Sequence, residues 1–263
     1  MYMKVAIDLA FVVFGLLVGS FLNVVIDRLP AGQSLAFPPS HCGSCKKRLT
    51  VSDLIPVLSY ISLKGRCRYC GEKIPLRLPL VEAATASAFA LLFAYFGLSL
   101  ELAIALFYFC LLLVIAIIDL EKQIILPVMI VPAILLAILF SLLLPHSSVI
   151  PQIKYTVIGG AIGLGTMLLV YVLAFILYHG ANAFGFGDVY LGALMGIMLG
   201  FPSVLVAIFL AVMAGGITAI GLLAAGKKGR KQAIPFGPFL ALGTMLALIW
   251  GNSIWGWYAR GFS

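Results

Sequence analysis

The run LAIALFYFCLLLVIAII, Leu102 to Ile118, holds no charged residue across 17 positions and ends at once on Asp119. A membrane-spanning helix needs roughly 20 apolar residues, with about 17 as the lower limit. This run therefore reads as a span with a carboxyl at its rim. The same test picks out Val5–Ile26, Leu80–Leu98, Ile124–Leu144, Thr156–Tyr178 and Ser203–Leu223, with two shorter runs at Val189–Leu199 and from Phe236 to about Trp250. Unbroken apolar runs favour helices over the short alternating segments of barrel strands. Composition agrees: of 263 residues 63% are hydrophobic and 10% charged, against nearly half and about a quarter in a soluble domain. An ordinary soluble enzyme, a disordered chain and a secreted disulfide scaffold are excluded. The first run is not read as a cleaved signal peptide, because Asp27-Arg28-Leu29-Pro30 follows it without a small-residue cleavage pattern.

The cations orient the chain. The segment 27–79 carries Arg28, Lys46, Lys47, Arg48, Lys64, Arg66, Arg68, Lys73 and Arg77, the segment before the last run carries Lys227, Lys228, Arg230 and Lys231, and Lys122 follows the third run. With eight alternating helices these 14 of the 17 basic residues fall on one side, leaving Lys4, Lys154 and Arg260 opposite. The positive-inside rule makes the rich side cytoplasmic and places both termini outside. Trp255, Trp257 and Tyr258 then serve as an aromatic anchor at the outer interface. Membrane lipid is thus the first expected partner. The +8 charge is not read as nucleic-acid binding, because topology already accounts for it.

The one sizeable polar segment contains Cys42-Gly43-Ser44-Cys45 and Cys67-Arg68-Tyr69-Cys70. Each tight turn aims two thiolates at one point, and two such pairs suit tetrahedral zinc. Disulfides are the alternative, but a cytoplasmic loop keeps its thiols reduced. A four-cysteine centre has no open coordination position, so its expected role is to hold together a loop too small for a strong core. Cys110, mid-span, reads as a small buried apolar residue. The expected fold is an all-α polytopic membrane protein of about eight transmembrane helices, with a small cytoplasmic zinc-ribbon-like domain between helices one and two.

Among the nine acidic residues, Glu82, Asp119 and Asp188 each abut an apolar run on the cytoplasmic side, where ionisable groups are costly and point to function. Asp119 closes the third run. Asp188 follows Gly185-Phe186-Gly187 and opens the sixth, whose shortness draws it below the surface. Two spans separate them, so they return to one face although 69 positions apart. Gly185 and Gly187 permit a tight turn and close backbone approach. Two adjacent carboxyls resist double ionisation and share a proton. One can then take a proton from water while the other hydrogen-bonds a scissile carbonyl. Solvated helix ends or ion pairs are the competing explanation. His41, His146 and His179 come with no evident Ser or Cys partner. Glu82 reads either as a ligand for a substrate amine or basic leader, or as a structural hydrogen-bond partner; Glu121 is the other candidate for the leader.

Taken in order, the motifs resemble the bacterial type IV prepilin peptidases, GxGD aspartic membrane proteases. They are Gly19–Ile26 with Arg28-Leu29-Pro30, the two cysteine pairs, Asp53–Tyr60, Gly65-Arg66-Cys67, Pro79–Glu82, Ile118-Asp119, Gly185–Asp188 and Pro235–Gly243. The resemblance implies an aspartic endopeptidase that removes the short basic leader of type IV prepilins or pseudopilins at the cytoplasmic face of the bacterial inner membrane. It also implies S-adenosylmethionine-dependent N-methylation of the new terminus. The family's catalytic aspartates map to Asp119 and Asp188 and its zinc ligands to Cys42, Cys45, Cys67 and Cys70. On this reading residues 1–26 are the first transmembrane helix, 27–79 the cytoplasmic four-cysteine zinc-binding domain and 80–263 the membrane-embedded peptidase domain of about seven helices. Three positions depart from the pattern: Val128 follows Leu126-Pro127 where the family often has an acid, Gly43 stands where proline is common, and Asp27 replaces a frequent aromatic or neutral residue. No residues are assigned to the methyl donor; Gly159, Gly160, Gly163 and Gly165 read as a helix-packing stripe. Other classes that fit buried acids are a proton- or cation-coupled transporter or channel, and a noncatalytic pilus or secretion assembly factor. The sequence specifies neither the particular pilin nor the oligomeric state.

Overall fold

Each apolar run of the sequence has a helix at its centre in the computed structural model, which describes residues 2–144, 147, 149–177, 185–226 and 234–261. The helices are α1 (Tyr2–Arg28), a short α2 (Leu58–Ser62), α3 (Arg77–Phe96), α4 (Leu100–Lys122), α5 (Pro127–Leu143), α6 (Ile153–Leu177), α7 (Phe186–Leu199), α8 (Ser203–Ala224) and α9 (Gly237–Arg260). Six of them, α1, α3, α4, α6, α8 and α9, are long and apolar enough to cross a membrane.

The eight expected membrane helices are all present, two of them short. α5 has 17 residues and α7 has 14, about 26 and 21 Å at 1.5 Å per residue, short of a hydrocarbon core of about 30 Å. Local chemistry sets these lengths. The chain leaves α4 through Gln123, whose left-handed φ of 54° breaks the helix, and Pro127 fixes the start of α5. Gly200, at φ 65°, ends α7. α7 also begins at Phe186 rather than Val189, which puts Asp188 inside its first turn. α9 continues to Arg260, so Trp255, Trp257 and Tyr258 lie on the helix itself. Lys227, Lys228, Arg230, Lys231, His146 and His179 lie outside the described residues.

The chain divides into two compact units, Met1–Cys110 and Leu111–Ser263, with α4 running through the boundary. In the first, α1 packs along α3 at backbone distance. A Cβ on Gly15 would come within 2.7 Å of the Ala86 Cα, and one on Gly19 within 2.7 Å of the Glu82 Cα. Phe11 and Phe93 stack with ring centroids 4.3 Å apart, and Asn23 Nδ2 donates to the Leu78 carbonyl at 3.0 Å. Lipid tails offer no hydrophobic drive for helices to associate, so small residues that let backbones close up do that work.

The second unit is organised around α7, ten of whose 14 residues are buried. α6 lies against it where Gly159 and Gly163 meet the Gly196 and Gly192 carbonyls, and Gly160 meets Ile197. Gly165 faces nothing within 4 Å, so the packing stripe is narrower than the four-glycine pattern suggests. α9 meets α8 where Gly243 sits on the Ala207 carbonyl. Leu169, Leu173 and Ile176 of α6 and Phe209, Ile217 and Ile220 of α8 stay exposed, the apolar surface that lipid covers.

Candidate active site and cysteine ribbon

The apolar run of α4 carries Asp119 into the protein: its neighbour Ile118 is 1% exposed and Asp119 itself 6%. One turn later Gln123 N–H donates back to the Asp119 carbonyl at 2.9 Å, which ends the helix. The carboxyl has its own partner. Asp119 Oδ2 accepts from Gly237 N–H at 3.1 Å, across 118 positions of sequence. Gly237 opens α9, where the first-turn N–H groups have no partner within the helix. Pro238 has none to offer, and Phe239 and Leu240 donate to the Phe236 carbonyl, so the Gly237 donor is left for Asp119. The positive end of the α9 dipole adds to the attraction. A Cβ on Gly237 would stand 2.6 Å from Asp119 Oδ2 and 3.1 Å from its Cγ.

Asp188 lies in the first turn of α7 and is 7% exposed. Its N–H donates to the Gly185 carbonyl at 3.1 Å. Gly187 sits against Ile125, whose Cβ would be 2.7 Å from any Cβ added there. The connection between α4 and α5, which follows Asp119, is thereby packed on the start of α7, which carries Asp188. Asp188 Oδ1 is buried and has no hydrogen-bond partner among the described residues. Buried polar atoms are nearly always paired, so this oxygen marks a place for another donor.

The remaining candidates are placed as follows. Glu121 is exposed on the last turn of α4. Glu82 is buried in α3, where its Oε2 accepts from Val57 N–H at 2.7 Å. Cys110 is unpaired on α4, part-buried. Gly237 is the residue that sequence reasoning passed over. It lies within the Pro235–Gly243 motif, but nothing in that pattern assigns it a role or points to Asp119.

The four ribbon cysteines converge: their Sγ atoms all lie within 4.8 Å of one another, Cys42 and Cys70 at 3.8 Å. A tetrahedral zinc with bonds of about 2.3 Å holds its sulfurs about 3.8 Å apart, so the donor set fits. The two knuckles repeat one backbone pattern. Cys42 N–H donates to the Lys47 carbonyl and Cys67 N–H to the Glu72 carbonyl, while the His41–Arg48 and Arg66–Lys73 bridges close the bases. Lys46 and Gly71 take matching left-handed φ values of 57° and 74°. Backbone N–H groups of Cys45 and Ser44 pull the Cys42 thiol down to about 6. At Cys70 the Glu72 N–H favours the thiolate, but desolvation and the other three sulfurs outweigh it and push the thiol up to about 12. Thr50 and then Arg68 hold the Asp53 carboxyl below its usual range, and Arg68 Nε reaches Asp53 at 2.7 Å.

Fold and site together define a polytopic membrane protein with a buried carboxyl pair and a four-cysteine ribbon. Residues 13–96 match the bacterial peptidase A24 N-terminal domain, and residues 106–220 match the type IV leader peptidase family. A prepilin leader peptidase/N-methyltransferase of Bacillus subtilis (strain 168) is 32% identical over 94% of this chain and 96% of its own length. Proteins of the same name from Aeromonas hydrophila and Pseudomonas aeruginosa are 32% and 30% identical, each over 95% of this chain and 92% of their own. The chain belongs to the type IV leader peptidase family. No solved structure matches it. The transporter, channel and assembly-factor readings are not favoured by these matches.

Proposed function

We propose that this chain is a membrane aspartic endopeptidase that removes the leader of prepilins or pseudopilins, with Asp119 and Asp188 as its catalytic pair. The observation that carries the proposal is their geometry: two buried carboxyls at the end of α4 and the start of α7, where Ile125 packs on Gly187, one of them with an unpartnered oxygen. The names of the relatives support the substrate class. The basic loops support a catalytic face in the cytoplasm and termini outside, and the ribbon between α1 and α3 is proposed as a module separate from the membrane-embedded peptidase.

The chemistry needs one proton between the two carboxyls. The ionised one removes a proton from water as the water oxygen bonds to the scissile carbonyl carbon. The other gives its proton to the carbonyl oxygen, forming a neutral gem-diol. Collapse of the gem-diol breaks the C–N bond. The nitrogen takes up the proton that water gave, and the diol returns the second proton to the other carboxyl, so the pair ends as it began. Gly237 N–H acts as a positioning group that keeps Asp119 facing the water. Phe186, two residues before Asp188, is exposed between Tyr171 and Tyr190, with ring centroids 5.3 and 5.1 Å away. This aromatic edge is where the apolar segment of the substrate would pack, leaving the leader in the aqueous phase.

Cys42, Cys45, Cys67 and Cys70 would hold zinc, which supplies a structural cross-link and no open coordination position. S-adenosylmethionine is proposed from the relatives' names. The glycine stripe of α6 does not fit it, because the α7 backbone fills that surface, and no step is derived through it. Incubation of the reconstituted protein with a prepilin, followed by mass spectrometry of the mature terminus, tests cleavage and methylation together. A cut between leader and apolar segment is expected, and an intact prepilin would reject the reading.

A further inference from the structure

Eleven residues of the ribbon, Val51 to Ile61, carry five large apolar side chains that the described residues leave uncovered. Val51 is 84% exposed, Leu58 and Ile61 are 64% exposed, and Leu54 and Ile55 are 40% and 45% exposed. Single exposed apolar residues are ordinary, but five in so short a stretch of a basic, polar loop form a patch. The segment is built as a short 3-10 turn, Val51–Leu54, followed by α2. A soluble ribbon would fold such residues inward.

One bond fixes where this segment lies. Glu82 accepts from Val57 N–H at 2.7 Å, and Glu82 is five residues into α3, about 7.5 Å along the helix from Arg77 at 1.5 Å per residue. Val57 is held there in a left-handed conformation, φ 59°, that β-branched residues rarely adopt; such a conformation persists where its surroundings over-determine it. The middle of the patch is therefore tied beside the opening turns of a spanning helix, at the level of the membrane rim. Leu76 and Leu80, at the mouth of that helix, are exposed as well.

Charge identifies what covers the patch. Residues 27–79 hold nine Lys and Arg against three Asp and Glu. Asp27 and Asp53 are already paired with Arg77 and Arg68. Lys46, Lys47 and Arg48 precede the apolar stretch in sequence, Lys64 and Arg66 follow it, and all five are exposed. Apolar side chains at rim depth, bordered by cations, match the boundary between acyl chains and anionic headgroups. We propose that Val51–Ile61 is an interfacial anchor, seating the ribbon on an anionic lipid surface with these side chains among the upper acyl carbons.

The test uses the full chain in vesicles of phosphatidylethanolamine and phosphatidylglycerol, with Trp250, Trp255 and Trp257 replaced by Phe. Ile61→Trp and, separately, Leu58→Trp then report their own surroundings, and circular dichroism checks that each variant is folded. The anchor predicts loss of fluorescence when the lipids are brominated at shallow acyl positions, and acrylamide quenching well below that of free N-acetyltryptophanamide. Strong acrylamide quenching without bromolipid quenching would place the patch in water. Protection from both quenchers would place it against protein. Either result, at both positions, overturns the proposal.

Discussion

Replacing Gly237 by alanine tests the link between α9 and the carboxyl pair with a single methyl group. The added Cβ would stand 2.6 Å from Asp119 Oδ2 and 3.1 Å from Cγ, closer than carbon and oxygen tolerate. The carboxyl must rotate or the start of α9 must withdraw, and either movement breaks the 3.1 Å hydrogen bond from Gly237 N–H. A hydrogen bond to a charged group contributes about 1.5–3 kcal/mol. Lost from the reacting geometry, that corresponds to a fall in kcat of roughly 10- to 150-fold at about 1.4 kcal/mol per tenfold. KM should hold, because the groups proposed to bind the leader and the apolar segment are untouched. The assay is cleavage of a prepilin by the reconstituted variant at several substrate concentrations, alongside thermal unfolding in detergent. Gly243→Ala is the contrast. Its Cβ would run into the Ala207 carbonyl between α8 and α9, so it should lower Tm while the folded fraction keeps its kcat. A Gly237→Ala enzyme that folds normally and cleaves at the wild-type rate would refute the positioning role.

Three further outcomes are expected. Cys42→Ser should lower bound zinc, measured by elemental analysis, whereas Cys110→Ser on α4 should leave it unchanged; equal loss in both would undo the ligand assignment. Gly163→Ala should destabilise the protein by about 1–3 kcal/mol through overpacking against the Gly192 carbonyl, while Gly165→Ala, with open space around it, should be neutral or slightly stabilising in thermal unfolding. Phe186→Ala should raise KM for prepilin by about fivefold, since an aromatic contact contributes about 1 kcal/mol, and change kcat little; an unchanged KM would remove the aromatic edge from the substrate path.

Much of the candidate site could be read before folding because its acids are punctuated by the membrane pattern. Asp119 and Asp188 stand out as carboxyls where apolar runs end and begin, and the two cysteine pairs announce their own convergence. Gly237 could not be read in this way. It carries no titratable group, and its role arises from an N–H that a neighbouring proline and a helix start leave over, aimed at a residue 118 positions away. The ends of two helices were not legible for a related reason: hydropathy sees composition, and α7 begins at Phe186 and α9 continues to Arg260 through less apolar residues. The glycine stripe of α6 was legible as packing, but which glycines touch α7 depends on the crossing point, and Gly165 falls beyond it. Glu82 was legible by its depth as either a substrate ligand or a structural partner; its bond to Val57 appears only once the ribbon is folded against α3.

The cooperation of two carboxyls around one water is tested most directly by prepilin cleavage with Asp119→Asn and Asp188→Asn, each reconstituted and shown to be folded. Either asparagine removes one of the two proton-transfer groups while keeping the shape of the side chain, so both variants should leave the prepilin intact on the timescale in which wild type processes it completely. Cleavage at the wild-type rate by either one would contradict the shared-proton mechanism.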